Sequence, residues 1–470
     1  METWNGRTAK FPPFMYTYFR SCINLAEKLP FPSLATMENK KKRKTNQPLH
    51  VHYLWRLLVV LVMVLVLMAL AYNPPKPLQL HPSLISTQPH YHNFSSSSSK
   101  APGPSINTKA NITVEIQSGP YHNWKLFVAD FQEMMSNFKI YIYPHVYNSN
   151  ITMDPFAGIF VPHTNPLNPK LGNFLSEHMF KIALLHSSLI TTTPQHAHFF
   201  FLPFSINNLR NDPRVRSEAS IAEFVAQYTG SISKEFAFWN ASGGADHFYV
   251  YCHSVGREAA SGNAELHNNA VQVTCSSSYF QKFYVSHKDV ALPQVWPRSD
   301  RVPLNPPHAR HRLVYFAGRI QNSRVRQELI ALWGNDTSMD IFPKSPFPYE
   351  EGFKRSKYCL HVRGYEVNTA RVSDAIQYGC IPVILSNYYD LPFGDVLDWS
   401  KFSVVINHGE IAFLKEKLLS ISRKMYLSMY HNLYQVRRHF VWHKTPRGYD
   451  TFHMTAYQLW QRRNIHRLSY

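Results

Sequence analysis

From about Gly119 to residue 425, short β-favouring apolar runs alternate with longer segments whose apolar positions recur every three or four residues. The runs Phe138–Tyr143, Ala197–Leu202, Asp246–Cys252, Ala270–Cys275 and Asp289–Leu292 read as buried strands. Between them, Asn173 caps a predicted helix through Leu189, with Leu175, Met179, Ile182 and Leu185 along one face. A second predicted helix starts at Ser217 and turns Ile221, Phe224 and Val225 inward, and a further helical segment reaches Trp239. The connector Arg298–Arg310, with Pro303, Pro306 and Pro307, marks a boundary. Alternation then resumes with a strand at Arg312–Phe316 and a helix from Ser323 closed by Gly334. A short strand follows at Asp340–Phe342, then strands at Tyr358–Val362, Ile381–Leu385 and Val404–Ile406, and a helix over Ile411–Ile421. The pattern predicts two α/β domains, 119–300 and 309–425, with a helical segment 426–470 that packs back across both.

The most informative unit is Tyr358–Leu385, strand–loop–helix–strand. Its helix spans Ala370–Tyr378, capped by Thr369 or Asn368 and stopped at Gly379. In open α/β sheets ligands bind where strand carboxyl ends meet helix N-termini. The loop there carries Arg363, Gly364, Glu366, Asn368 and Thr369, with Arg371 in the first helical turn, where a cation opposes the helix dipole unless an anion sits beside it. Free amides, dipole and arginines together describe a pyrophosphate site. The competing reading is an ordinary loop with solvated arginines, since no glycine fingerprint for phosphate is present.

Composition places this unit in a compartment. Of the 470 residues 44% are hydrophobic, enough for two cores. Ten Lys/Arg against three Asp/Glu put +7 in residues 1–56 and leave +12 of the net +19 beyond. The excess is dispersed, which suits an anionic small ligand, an acidic polysaccharide or a membrane surface rather than nucleic acid. Leu57–Tyr72 is free of charge and is preceded by Tyr53 and Trp55, so 53–72 reads as a transmembrane signal-anchor. The basic run 40–44 keeps the tail, 1–52, in the cytosol and the large domains lumenal. Cleavage at Ala69-Leu70-Ala71 competes, against an unusually long n-region. Met37 offers an alternative start, and the Pro/Ser/Asn-rich 73–118 reads as a disordered stem. Sequons at Asn93, Asn111, Asn150, Asn240 and Asn335 agree with lumenal glycosylation. Four lumenal cysteines, Cys252, Cys275, Cys359 and Cys380, allow three pairings, or free thiols at Cys359 and Cys380.

Several ordered segments carry a resemblance: FKIYIYP, FLPFS, GGADHFYVYCHSVG, DVALP, RLVYFAGR and SKYCLHVRGYEVNTARVSDAIQYGCIPVILS, then LPF and VLDWSKFSV. Over nearly all of 119–425 the chain resembles the exostosin family, glycosyltransferase family 47, in its plant branch. That resemblance implies type II Golgi enzymes with two Rossmann-like domains facing a cleft, the GT-B arrangement, which invert the anomeric centre as they transfer sugar from a nucleotide donor. It further implies that Asp374, where many relatives carry Glu, binds sugar or ribose hydroxyls; Glu366 in the loop is an alternative hydroxyl acceptor for the donor, and pairing of Asp374 with Arg371 is the plainer reading.

The chemistry requires the leaving diphosphate to be neutralised. No Asp-x-Asp occurs, and Asp395 and Asp398 are a poor substitute, so no metal is expected. Arg319, Arg363, Arg371 and the helix end at Thr369 are the candidate grip, with Lys357 a weaker one. A base must deprotonate the acceptor; His247, His253 and Asp246 are candidates. Many relatives read His-Asp where this chain has His253-Ser254, so no base carries over at the second position. The expectation is a metal-independent, inverting Golgi glycosyltransferase using a UDP-sugar and a cell-wall polysaccharide, with the donor in 309–425, the acceptor in 119–300, and other glycosyltransferases as candidate partners. A non-catalytic scaffold within a polysaccharide synthase complex is the alternative.

Overall fold

Among the described residues, ten short parallel strands make two separate sheets. The computed structural model describes residues 119–144, 156–163, 165–280, 284–298, 302–321 and 323–463, all within one of the chain's two compact units, Pro104–Tyr470. The tail, the 53–72 anchor, the stem and the sequons at Asn93, Asn111 and Asn150 lie outside them, and no helix among the described residues is long and apolar enough to cross a membrane.

The first sheet runs β1 (Ile140–Ile142), β2 (Phe199–Phe201), β3 (His247–Tyr251), β4 (Val271–Thr274) and β5 (Val290–Ala291), in that spatial order. The second contains β6 (Arg312–Ala317), β7 (Met339–Phe342), β8 (Ser356–Val362), β9 (Ile381–Leu385) and β10 (Val404–Val405), ordered β10-β9-β8-β6-β7. Every pairing is parallel. Two α/β sheets of this kind fit the GT-B expectation. The first-sheet strands are shorter than the apolar runs, although ladder bonds continue one residue on, as in Leu202 N–H to Phe248 O, 2.9 Å, and Cys275 N–H to Tyr251 O, 3.1 Å.

Strand periodicity divides the side chains between layers. Phe199, Phe201, Phe248, Val250, Val271 and Val273 face one core, while Phe200, Tyr249 and Tyr251 face another, under the helix Glu218–Glu235. The first core is continuous with Val314, Phe316, Tyr358 and Leu360 of the second sheet. It is covered by Trp124–Asn137, Leu175–Leu185 and the last helix, Thr451–Arg462. That last helix does return to the first sheet: Tyr457 Oη and Trp460 Nε1 donate to Asp130 at 2.8 and 2.9 Å.

Three helix boundaries differ from the sequence reading. The helix expected from Asn173 starts at Leu175, because Gly172, at φ +48°, breaks it from the preceding turn, and it ends at Leu185 rather than Leu189. The segment expected as a helix over Ile411–Ile421 divides into a turn, His408–Phe413, and Leu414–Leu419. The Asn407/Glu410 capping box starts it early. Helix Arg371–Gln377 starts one residue late with Ala370 at its cap, though Gly379 does end it in a left-handed conformation, φ +68°.

Glu177 lies inside the first domain at the carboxyl ends of β2 and β3. Its carboxylate accepts from Ser205 Oγ at 2.5 Å and from the backbone N–H groups of Asn207 and Cys252 at 3.1 and 3.3 Å. Burial outweighs these bonds and pushes its pKa up to about 7. A raised carboxyl favours folding fully below the unfolded value near 4.5, and that contribution is lost as pH rises to about 7. The loss is on the order of 3 kcal/mol. Thermal melts from pH 4.5 to 8 should show Glu177→Gln with a flatter pH slope below 7 than the parent; an unchanged slope contradicts this assignment.

Candidate active site

The order of the second sheet reverses between β6 and β8, and a ligand crevice belongs outside their carboxyl ends. Arg371 spans that point. Its Nε and Nη2 donate to Ala317 O at 3.2 and 2.8 Å, and its guanidinium lies 5.3 Å from the Phe316 ring. Gly318 lies close against it, and a Cβ there would stand 2.5 Å from Arg371 Nη2. Beside it Arg326, from the first turn of helix Arg324–Trp333, donates to Val362 O at 3.1 and 2.9 Å and to Arg319 O at 2.8 Å. A Cβ on Gly364 would meet its Nη2 at 2.9 Å. Burial and the Arg371 charge push Arg326 down to about 10. Arg319 is exposed and Arg363 half-buried on the two flanking loops. Among the described residues no ion pair engages Arg319, Arg326, Arg363 or Arg371, so carbonyls alone hold the inner two cations.

The loop after β8 is fixed from inside. His361 is buried, with Nε2 2.7 Å from Val367 O and Nδ1 3.0 Å from Thr369 Oγ1. The carbonyl requires a proton on Nε2, so the Thr369 hydroxyl donates to Nδ1. Its oxygen also accepts from Arg371 N–H at 3.3 Å. Thr369 therefore shapes the loop, and Asn368 turns a buried Oδ1 inward with no hydrogen-bond partner. Lys357 does not join the cluster. It sits at the opposite end of β8, 5.9 Å from the Tyr426 ring.

Asp374 does not pair with Arg371. Arg298, from the connector, clasps it in a fork: Nε to Oδ1 2.6 Å and Nη2 to Oδ2 3.0 Å. Burial raises the Asp374 carboxyl while this guanidinium opposes the rise. The pair forms one wall of a cavity of about 540 Å³ completed by Trp296, Gln377, Trp442, Lys444 and Arg447. Asp374 is thus at the cavity but with both oxygens already engaged.

The first sheet corrects the candidate bases. His247 opens β3, at the amino end of a parallel sheet, away from the ligand edge. It is fully buried and stacked on Tyr143 and Phe200, with Nε2 2.8 Å from Tyr143 Oη and Nδ1 2.7 Å from Asp246 Oδ1. Asp246 also accepts from Ser242 Oγ at 2.5 Å. Both are structural. The strand was legible, but which of its histidines stood at the functional end depended on strand direction. His253 does lie past the carboxyl end of β3, half-buried against Phe174, and burial, then Arg210, push it down to about 4. Its Nδ1 accepts the Val255 N–H at 3.2 Å, which leaves the neutral ring's proton on Nε2.

Carboxyl-end loops of the two sheets meet. Ser276 Oγ, after β4, donates to Glu366 Oε2, after β8, and Arg257 Nη1 stands 3.9 Å from the same oxygen. Asp390, after β9, accepts from Tyr279 and Tyr284 hydroxyls at 2.7 and 2.5 Å, and Ser278 bridges Tyr389. Cys252–Cys275 ties the ends of β3 and β4 directly below these loops, and Cys359–Cys380 is the second disulfide. Arg257, Ser276, Arg298 and Arg326 were missed from sequence. Only Arg326 had a readable signal, a cation in a first helical turn like Arg371.

A model of the exostosin GT47 domain matches residues 134–421. The chain belongs to the exostosin family. A probable glycosyltransferase of Arabidopsis thaliana is 32% identical over 360 residues, covering 73% of this chain and 72% of that one. A probable glucuronosyltransferase of Oryza sativa is 27% identical over 309 residues, covering 60% and 68%. This exostosin-family chain is a glycosyltransferase, and a nucleotide-sugar donor and a glycan acceptor follow from that family. Among the described residues no group of three or more His, Cys, Asp or Glu is arranged to hold a metal ion; Asp398 caps a turn through Ser400 N–H at 3.0 Å.

The Arg298–Asp374 clasp yields a stability test. Arg298→Met alone leaves a buried carboxylate unpaired and should cost about 3 kcal/mol. The double variant with Asp374→Leu should recover most of that loss in a denaturant titration. Additive losses would show that the two groups do not depend on each other.

Proposed function

We propose that this glycosyltransferase takes its sugar from a UDP-sugar, adds it to a cell-wall polysaccharide with inversion, and works from the Golgi membrane as a type II protein anchored by 53–72. What carries the donor reading is the set of arginines at the β6/β8 switch point. Arg326 and Arg371 are bonded to carbonyls and Arg319 and Arg363 flank them, which leaves a net positive field. A diphosphate is the ligand whose charge that field complements. The nucleoside then extends along helix Arg371–Gln377 toward the Trp296 cavity, where an aromatic face and the Arg298–Asp374 pair offer stacking and hydroxyl contacts.

In this reading the arginines neutralise charge as it develops on the departing diphosphate, a task that metal-using transferases give to a cation. Sequons Asn240 and Asn335 are both exposed, which supports the lumenal placement of the domains.

Two measurements test the reading. Arg371→Ala removes charge-assisted bonds of about 1.5–3 kcal/mol and should weaken UDP-sugar binding roughly ten- to a hundredfold in a protection assay. Unchanged binding sinks the donor site. EDTA should leave sugar transfer by the full-length protein at its original rate, and abolition with rescue by Mn²⁺ contradicts a metal-free grip.

A further inference from the structure

A cavity of about 390 Å³ opens at the carboxyl end of β3, on the first-sheet side of the crevice. It lies between the helix Val255–Ala259, the start of Glu218–Glu235 and the loop after β8. Its walls are Glu218, Ser254, Arg257, Glu258 and Ser261, and its rim is Tyr365. Tyr365 is 77% exposed, the largest exposure of any described large hydrophobic side chain. An exposed aromatic ring over a polar floor of carboxylates, hydroxyls and a guanidinium is suited to a saccharide. The ring covers the apolar C–H face of a pyranose, and the floor exchanges hydrogen bonds with its hydroxyls.

Glu366 stands at the inner end. It follows Tyr365 directly, and Arg257, a wall of the cavity, reaches its Oε2 at 3.9 Å. Two and three residues back on the same loop are Gly364 and Arg363, part of the cationic switch point. Glu366 therefore links the rim of this cavity to the cationic loop. Its side chain keeps 20% exposure, and with Oε1 buried it is Oε2 that faces the Arg257 wall. Of the two first-sheet histidines, His247 is sealed between Tyr143 and Phe200, and the His253 lone pair at Nδ1 is taken by Val255 N–H.

Building on the transferase reading above, we propose that the Tyr365-rimmed cavity receives the acceptor saccharide and that Glu366 is the base that deprotonates its attacking hydroxyl. The hydroxyl oxygen forms the bond to the anomeric carbon as its proton passes to Glu366 Oε. The bond from that carbon to the diphosphate oxygen breaks on the opposite face, and its electron pair leaves with the nucleoside diphosphate. Solvent takes the proton from Glu366 after release. Arg257 and Ser276 hold the carboxylate oriented.

The test uses the full-length protein in microsomes, a panel of UDP-sugars and wall oligosaccharides, with UDP release as the rate and UDP-sugar protection as the binding readout. Glu366→Gln keeps the Ser276 contact but cannot accept a proton. It should lower kcat roughly 10²- to 10⁴-fold, leave UDP-sugar binding intact and remove the acid limb of the pH–rate profile. Glu366→Asp should restore part of the rate. Tyr365→Ala should raise the acceptor KM more than it lowers kcat, with donor binding unaffected. The proposal is overturned if Glu366→Gln turns over at near the parent rate, or if it loses UDP-sugar binding in proportion to rate, which would make Glu366 a clasp between loops. A parent protein that releases UDP while Glu366→Gln does too leaves the transferase reading standing. A parent that binds no UDP-sugar and releases no UDP overturns both.

Discussion

Arg371 donating to the carbonyl of Ala317 joins the second sheet's two central strands at the point where their order reverses. It lies close against Gly318, presses a like charge on Arg326, and holds the β8 loop against the end of β6. A guanidinium held by carboxylates would be neutralised, whereas one held by carbonyls keeps its net charge and is only oriented. The arrangement is costly for the protein by itself and becomes favourable when an anion arrives. The unneutralised charge is thus left available to an anion rather than spent on the fold.

Around that point the two sheets are kept in register by contacts far apart in the chain. The last helix carries Tyr457 and Trp460 back to Asp130, more than 300 residues earlier, and extends the first core across both sheets. Arg298 reaches from the connector to Asp374 on the donor-side helix, so the link between the sheets is also a wall of the larger cavity. At the open edge Ser276 meets Glu366 and two tyrosines meet Asp390. A crevice bounded by one clasp at its connector side and another at its loop side can hold donor and acceptor in a fixed relation, which is where most of a transferase's rate advantage originates.

Much of the arginine site on the second sheet was legible from residues alone. A glycine-containing loop, two arginines and a helix start fall within nine consecutive positions, and a local unit of that length forms one loop whatever surrounds it. Arg326 was equally local in its signal but lay in a second loop, and only the sheet order shows that the two loops touch. The first sheet's candidate bases were less legible. Asp246, His247 and His253 occupy one run, and sequence does not reveal which of its ends faces the crevice.

The sequence by itself determined the alternation of strands and helices, the boundary at the prolines and the chemistry of the β8 loop, because these depend on periodicity and on neighbours within a few residues. Tertiary structure decided the rest. It chose one cysteine pairing among three, since Cys252 and Cys275 end adjacent strands and Cys359 and Cys380 flank another adjacent pair. It gave Asp374 to Arg298 and Glu366 to Ser276, partners 76 and 90 residues away. Side-chain partners across such separations are set by strand order and direction, which arise only when the whole apolar surface is buried at once.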